Sequence, residues 1–142
     1  MHVPRGAGDC SGGAVKVTEK QRLSLQRMIK KWKHRLFLGE WFVFAAYGEG
    51  DESESGAIAT SSPNPTYMQC TITVYESFWR KYKADQEHII VHELCHCITE
   101  PAYRAQIDLL NFKMVTNDHI NEIRERTTQR IANIAFQQEW RK

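Results

Sequence analysis

Asp85-Gln86-Glu87-His88-Ile89-Ile90-Val91-His92-Glu93-Leu94-Cys95-His96-Cys97-Ile98 is the stretch whose reading decides the fold. Its apolar residues fall on nearly every side of a helix, and a helix that is apolar all round belongs in a core. Asp85 is placed to cap it. Within that helix His92 and His96 stand one turn apart on a shared face, with Glu93 beside the first. Buried polar groups need partners, and three on neighbouring turns ask for a common one. A metal ion meets that need: both imidazoles reach it, and Glu93 addresses the water it would hold. The plainer account is that the histidines bond core carbonyls and Glu93 pairs with an arginine.

Working backwards, residues 67–75 alternate, with Met68, Cys70, Ile72 and Val74 on one face and Gln69, Thr71 and Thr73 on the other, as in a half-buried strand. As an edge strand it could take up an extended peptide by strand addition. Pro63-Asn64-Pro65 predicts a turn, 57–60 a short strand and 48–56 an acidic loop or hairpin connection. The aromatic and branched run 41–47 predicts another strand. Thr18 and Gln21 form a capping-box pattern that opens a helix in which Leu25, Met28, Ile29, Trp32 and Leu36 recur at helical spacing, ending near Gly39. Residues 76–83 read as irregular or a short helical turn.

Working forwards, Glu100 stands before Pro101 and reads as a helix-end residue, a turn beyond His96 and poorly placed for the same ion. Asp118 opens a last helix reaching about Trp140, with Ile120, Ile123, Ile131, Ile134 and Ala135 marking its inward side and Ala132 and Phe136 extending it. Imidazoles with a nearby carboxylate favour zinc, and two histidines are too few to hold it. The third ligand is expected from this helix: Glu125 first, at the edge of the apolar stripe, then Glu122 on the outer side, then His119. Tyr103 and His119 are the candidates for stabilising an oxyanion. His88, one turn before His92, either lines the cleft or is an exposed helix residue.

At 142 residues and 42% hydrophobic, the chain has room for one compact domain. The expected organisation is a loose arm at 1–17 followed by a domain at 18–142. No secretory signal or membrane-spanning run is evident, so a cytoplasmic protein is expected. Cys10, Cys70, Cys95 and Cys97 lack the spacing of a zinc ribbon or a disulfide scaffold. Cys95 and Cys97 face different sides of their helix and read as small hydrophobes rather than ligands. Charge is uneven: 1–39 carries nine Lys and Arg against Asp9 and Glu19, whereas 40–100 carries three against ten acidic residues. The basic first helix reads most simply as the solvated face of an amphipathic helix.

The His92 to His96 motif, the strand-then-helix order before it and a glutamate on a later helix resemble the gluzincin branch of the zincin metallopeptidases. Residues 67–135, roughly half of the chain, are further similar to small phage- or prophage-associated metallopeptidases. The elements that carry this similarity are Thr71-Ile72-Thr73, the motif helix, and Glu125 ahead of Arg130-Ile131-Ala132. The resemblance implies an α+β, minimal zincin-like fold: an N-terminal helix, a small twisted mixed sheet of about three strands, the motif helix and C-terminal helices. It implies Zn2+ held by His92, His96 and Glu125, with Glu93 as general base. The expected partner is a peptide or protein substrate in the cytoplasm, that of the host cell if the chain is phage-encoded; neither a membrane nor nucleic acid is expected, and nothing here speaks to oligomeric state. The alternative is a non-catalytic module, metal-stabilised or metal-free, whose basic first helix binds an acidic partner or nucleic acid.

Overall fold

The computed structural model describes residues 17–139, so nearly all of the expected arm lies outside the described residues. Thr18 caps α1 (Glu19–Arg35) with the full reciprocal box: its hydroxyl accepts from the Gln21 amide at 3.1 Å, and Gln21 accepts from the Thr18 amide at 3.0 Å. Leu25, Met28 and Ile29 give the helix its buried stripe. The helix stops before Gly39 because Phe37 takes the left-handed conformation (φ 55°), and the Leu38 amide closes back on the Lys33 carbonyl at 2.9 Å.

Three strands follow: β1 (Phe42–Tyr47), β2 (Ala59–Asn64) and β3 (Gln69–Val74). They form one mixed sheet in the order β1-β3-β2, with β1 parallel and β2 antiparallel to β3. The expected edge strand at 67–75 is therefore the central one, and β2 is the edge. Met68 begins no strand; at φ 50° it closes a turn on the Pro65 carbonyl. The short strand expected at 57–60 instead runs on through Pro63, which a turn had been expected to claim. An edge strand tolerates proline where the missing N–H would point away from the sheet.

A short α2 (Glu76–Arg80) leads into α3 (Gln86–Leu110), the motif helix. Asp85 occupies its N-cap position without making a side-chain cap bond. The helix does not end at Glu100: Pro101 lies inside it. Proline costs a helical hydrogen bond, but Ile98 and Ala105 are buried on either side and hold the helix in line. The chain ends in α4 (Asn117–Glu139). The fold is α+β: α1 and α3 cover one face of the sheet, where Cys70, Ile72 and Val74 meet Leu25, Ile29, Ile90, Leu94 and Cys97. Phe42 and Phe44 stand exposed on the other face. Among the described residues no helix is long and apolar enough to cross a membrane.

α4 turns differently from the expected inward side. Its half-buried residues are Ile123, Thr127, Arg130, Asn133, Ile134 and Gln137, of which Ile123 and Ile134 were expected inward, whereas Ile120, Ile131, Ala132, Ala135 and Phe136 are exposed. The rotation is set by Arg130, which donates to the Phe37 carbonyl at 2.9 Å and pairs with Glu40. Burial draws the Arg130 pKa down from the usual guanidinium value. An ion pair has thus overridden an apolar pattern that was never strongly one-sided.

Candidate active site

α3 carries the motif on a helix whose opposite side is fixed in the core by Ile90, Leu94 and Cys97. His92 and His96 project from it into solvent as adjacent rungs, ring centroids 5.1 Å apart and ring planes at 82°, so of the three polar groups expected to be buried only Glu93 is. Glu93 is only 8% exposed. Its carboxylate forms no hydrogen bond or ion pair among the described residues, which is unusual for a covered acid.

Glu93, His96, Thr99, Glu100 and Tyr103 form one wall of a cleft of about 640 Å³, and β2, with Ala57 before it, forms the other through Ala59, Thr60, Ser61 and Pro63. These positions on α3 recur every three or four residues, so one helix face supplies the whole wall. The structure thus brings Tyr103 to the motif, as expected. It also brings Glu100, which the sequence placed on the ligand-bearing side but a turn beyond His96 and read as a helix-end residue; it lies within the helix and on the cleft wall. Arg104 donates to Glu100 at 3.1 Å and to the Pro63 carbonyl at 3.1 Å, tying the two walls together.

The pairing of β2 fixes what it offers the cleft. The Tyr75 amide donates to the Ile58 carbonyl at 3.0 Å, and the register pairs Thr60 with Thr73 and Ser62 with Thr71. Alternation then turns the main-chain groups of Thr60, Ser62 and Asn64 towards β3 and those of Ala59, Ser61 and Pro63 to the free edge. The reach of Arg104 to the Pro63 carbonyl agrees with that parity.

The other candidates stand apart. Glu125 lies two residues beyond Ile123, on the outward side of α4, with its side chain 74% exposed and 3.8 Å from Arg124. Glu122 pairs with Arg126 at 2.7 Å. His119 is exposed in the first turn of α4, its amide donating to Thr116 at 3.2 Å. His88 is exposed near the start of α3. Two imidazoles one turn apart on a rigid helix, with a covered carboxylate between them, suit two ligand positions and a base for zinc. Among the described residues no third His, Cys, Asp or Glu joins them in a group that could hold an ion.

Beneath the motif, Cys97 of α3 and Cys70 of β3 are both 1% exposed. The hydrogen bond from Cys97 draws the Cys70 thiol pKa down, and the same bond with burial pushes that of Cys97 up. Burial also raises Cys95. None of the three lines the cleft. No protein-family model, no curated protein and no solved structure matches this chain.

Proposed function

We propose that the chain is a zinc-dependent metallopeptidase that cleaves an extended peptide or protein segment lying between β2 and α3. The observation that carries this reading is the shared cleft: a covered carboxylate without a protein partner, an imidazole of the motif and the open hydrogen-bonding edge of a strand all meet there. His92 and His96 would hold the ion; the resemblance would give the third place to Glu125, which stands outward on α4, apart from them. Bound zinc would supply Lewis acidity for the scissile carbonyl and acidify a water.

The residues of the chain do the rest. Glu93 takes the proton from the attacking water and passes it to the leaving amine. Tyr103, on the same wall, is placed to donate to the oxyanion. The free-edge groups of Ser61 hold the substrate main chain extended. Arg104, by joining Glu100 to Pro63, keeps the two walls at a fixed separation.

Elemental analysis of tag-free protein tests this directly. Near-stoichiometric zinc in the wild type, lost in His92→Ala and His96→Ala and kept in Glu93→Gln, is expected. Glu93→Gln should in turn abolish hydrolysis of a quenched-fluorescent peptide pool. A wild type that is metal-free and cannot be loaded with zinc would sink the reading.

A further inference from the structure

The sheet has a second free edge, β1, and it is built differently. The Phe42 amide donates to the Met68 carbonyl at 2.8 Å and the Gly48 amide to the Val74 carbonyl at 2.9 Å. In this parallel pair, alternation turns the main-chain groups of Phe42, Phe44 and Ala46 to β3 and those of Val43, Ala45 and Tyr47 outward. All three outward residues line a groove of about 550 Å³ between β1 and α1.

The wall opposite is a ridge of α1 on which Arg22, Gln26, Lys30 and Lys33 follow one another at helical spacing. From Arg22 to Lys33 that ridge runs about 16 Å at 1.5 Å per residue, close to the roughly 13–14 Å of β1 from Val43 to Tyr47 at about 3.3 Å per residue. No carboxylate lines the groove. Arg22 has Glu19 at 4.0 Å, whereas Lys30 and Lys33 form no ion pair among the described residues. The Tyr47 hydroxyl is buried there with the Arg22 guanidinium beside it.

We propose that this groove binds an acidic, extended polypeptide segment, which adds as a strand to the free edge of β1 and places its carboxylates on Arg22, Lys30 and Lys33. A row of open main-chain donors and acceptors is what an incoming strand needs, and the cations set its charge. A second copy of this edge would bring the same three cations against each other, so the occupant is not another β1 edge. A nucleic acid would use the cations but has no main-chain amides to complete the strand pairing. The groove lies on the opposite edge of the sheet from the cleft, so the proposal stands whether or not the cleft is a peptidase site.

The test is fluorescence anisotropy on the full chain with a labelled heptapeptide of alternating glutamate and valine. It is run beside the lysine–valine counterpart, an N-methylated version of the acidic peptide and a twenty-nucleotide oligothymidine. Binding of the acidic peptide alone, weakened about tenfold or more by N-methylation and by the pair Arg22→Glu and Lys30→Glu, is expected. Both residues are exposed, so those variants should fold, and an unchanged thermal melt serves as an independent check on the rest of the molecule. Failure of the acidic peptide to bind at low salt would overturn the proposal. So would oligothymidine binding as tightly as the peptide, or N-methylation having no effect, because either marks a site for polyanions in general.

Discussion

Replacing Ser61 by proline removes one N–H and nothing from the sheet. Pairing parity turns the Ser61 amide to the free edge of β2, and the preceding Thr60, in extended strand geometry, suits the position before a proline. Pro63, two residues on, already shows that this edge accepts the ring. In a substrate complex formed by strand addition, the lost amide would donate to the substrate main chain, a bond worth about 1 kcal/mol net. That corresponds to about a fivefold fall in kcat/KM, by RT ≈ 0.59 kcal/mol, with little change in Tm. Ser62→Pro is the matched control: its amide belongs to the ladder with Thr71, and its loss should destabilise the fold by about 3 kcal/mol. Steady-state cleavage of a quenched peptide and thermal melts of both variants decide the matter. Unchanged kcat/KM in a stably folded Ser61→Pro protein would refute strand addition at β2, and equal melting losses in the two variants would refute the parity itself.

Arg130→Met should lower stability by about 2 kcal/mol, or about 8 °C in Tm, and open α4 to trypsin, because two charge-assisted bonds anchor that helix to the α1–β1 turn; an unchanged melting point and digest pattern would contradict this anchoring. In a Cys10→Ser background, Ellman's reagent at pH 8 should find less than one reactive thiol in the folded chain and three after unfolding. The sign follows from the raised pKa of Cys95 and Cys97, which leaves less thiolate at a given pH, together with the burial of Cys70 and Cys97, so reactivity should rise as the pH is taken above 8. Leu94→Ala, at a side chain 0% exposed directly behind the motif, should cost about 3 kcal/mol in urea unfolding; a cost under about 1 kcal/mol would mean the motif helix is not seated in the core as described.

What was legible in the sequence is what short-range periodicity encodes. The capping box at Thr18 and Gln21, the stripe of α1, the alternation around Ile72 and the apolar surround of the motif all appear where their spacing puts them. The failures share a cause: they depend on contacts distant in sequence. Sheet order cannot be read from β3 alone, because its alternation is the same whether it sits at an edge or between β1 and β2. Pro63 and Pro101 signal punctuation by local propensity, yet tertiary packing keeps both inside regular elements. The outward turn of Glu125 follows from Arg130 reaching Phe37, 93 residues away in the chain. That pairing could not be anticipated from the weakly amphipathic pattern of α4 itself.

A three-stranded sheet leaves two edges unpaired, and each unpaired edge invites association with another chain. Here the two are protected by different means. On β2, proline removes one donor and Arg104 occupies one acceptor, so the open part of the edge is confined to the stretch around Ala59 and Ser61 that faces Glu93 and His96. On β1, nothing among the described residues blocks the main chain; instead Arg22, Lys30 and Lys33 stand beside it and repel a basic strand. The first device selects by position and suits a site that must hold a bond at a reacting group. The second selects by charge along its length and suits a docking strand that is held but not cut. Exchanging the two should exchange the behaviour: with Arg104→Ala the β2 carbonyl at Pro63 opens, and substrate register along the cleft should become less uniform, read as a broader set of cleavage positions in one long peptide. An unchanged cleavage pattern in that variant would mean that Arg104 fixes α3 to the sheet without governing how a strand is seated.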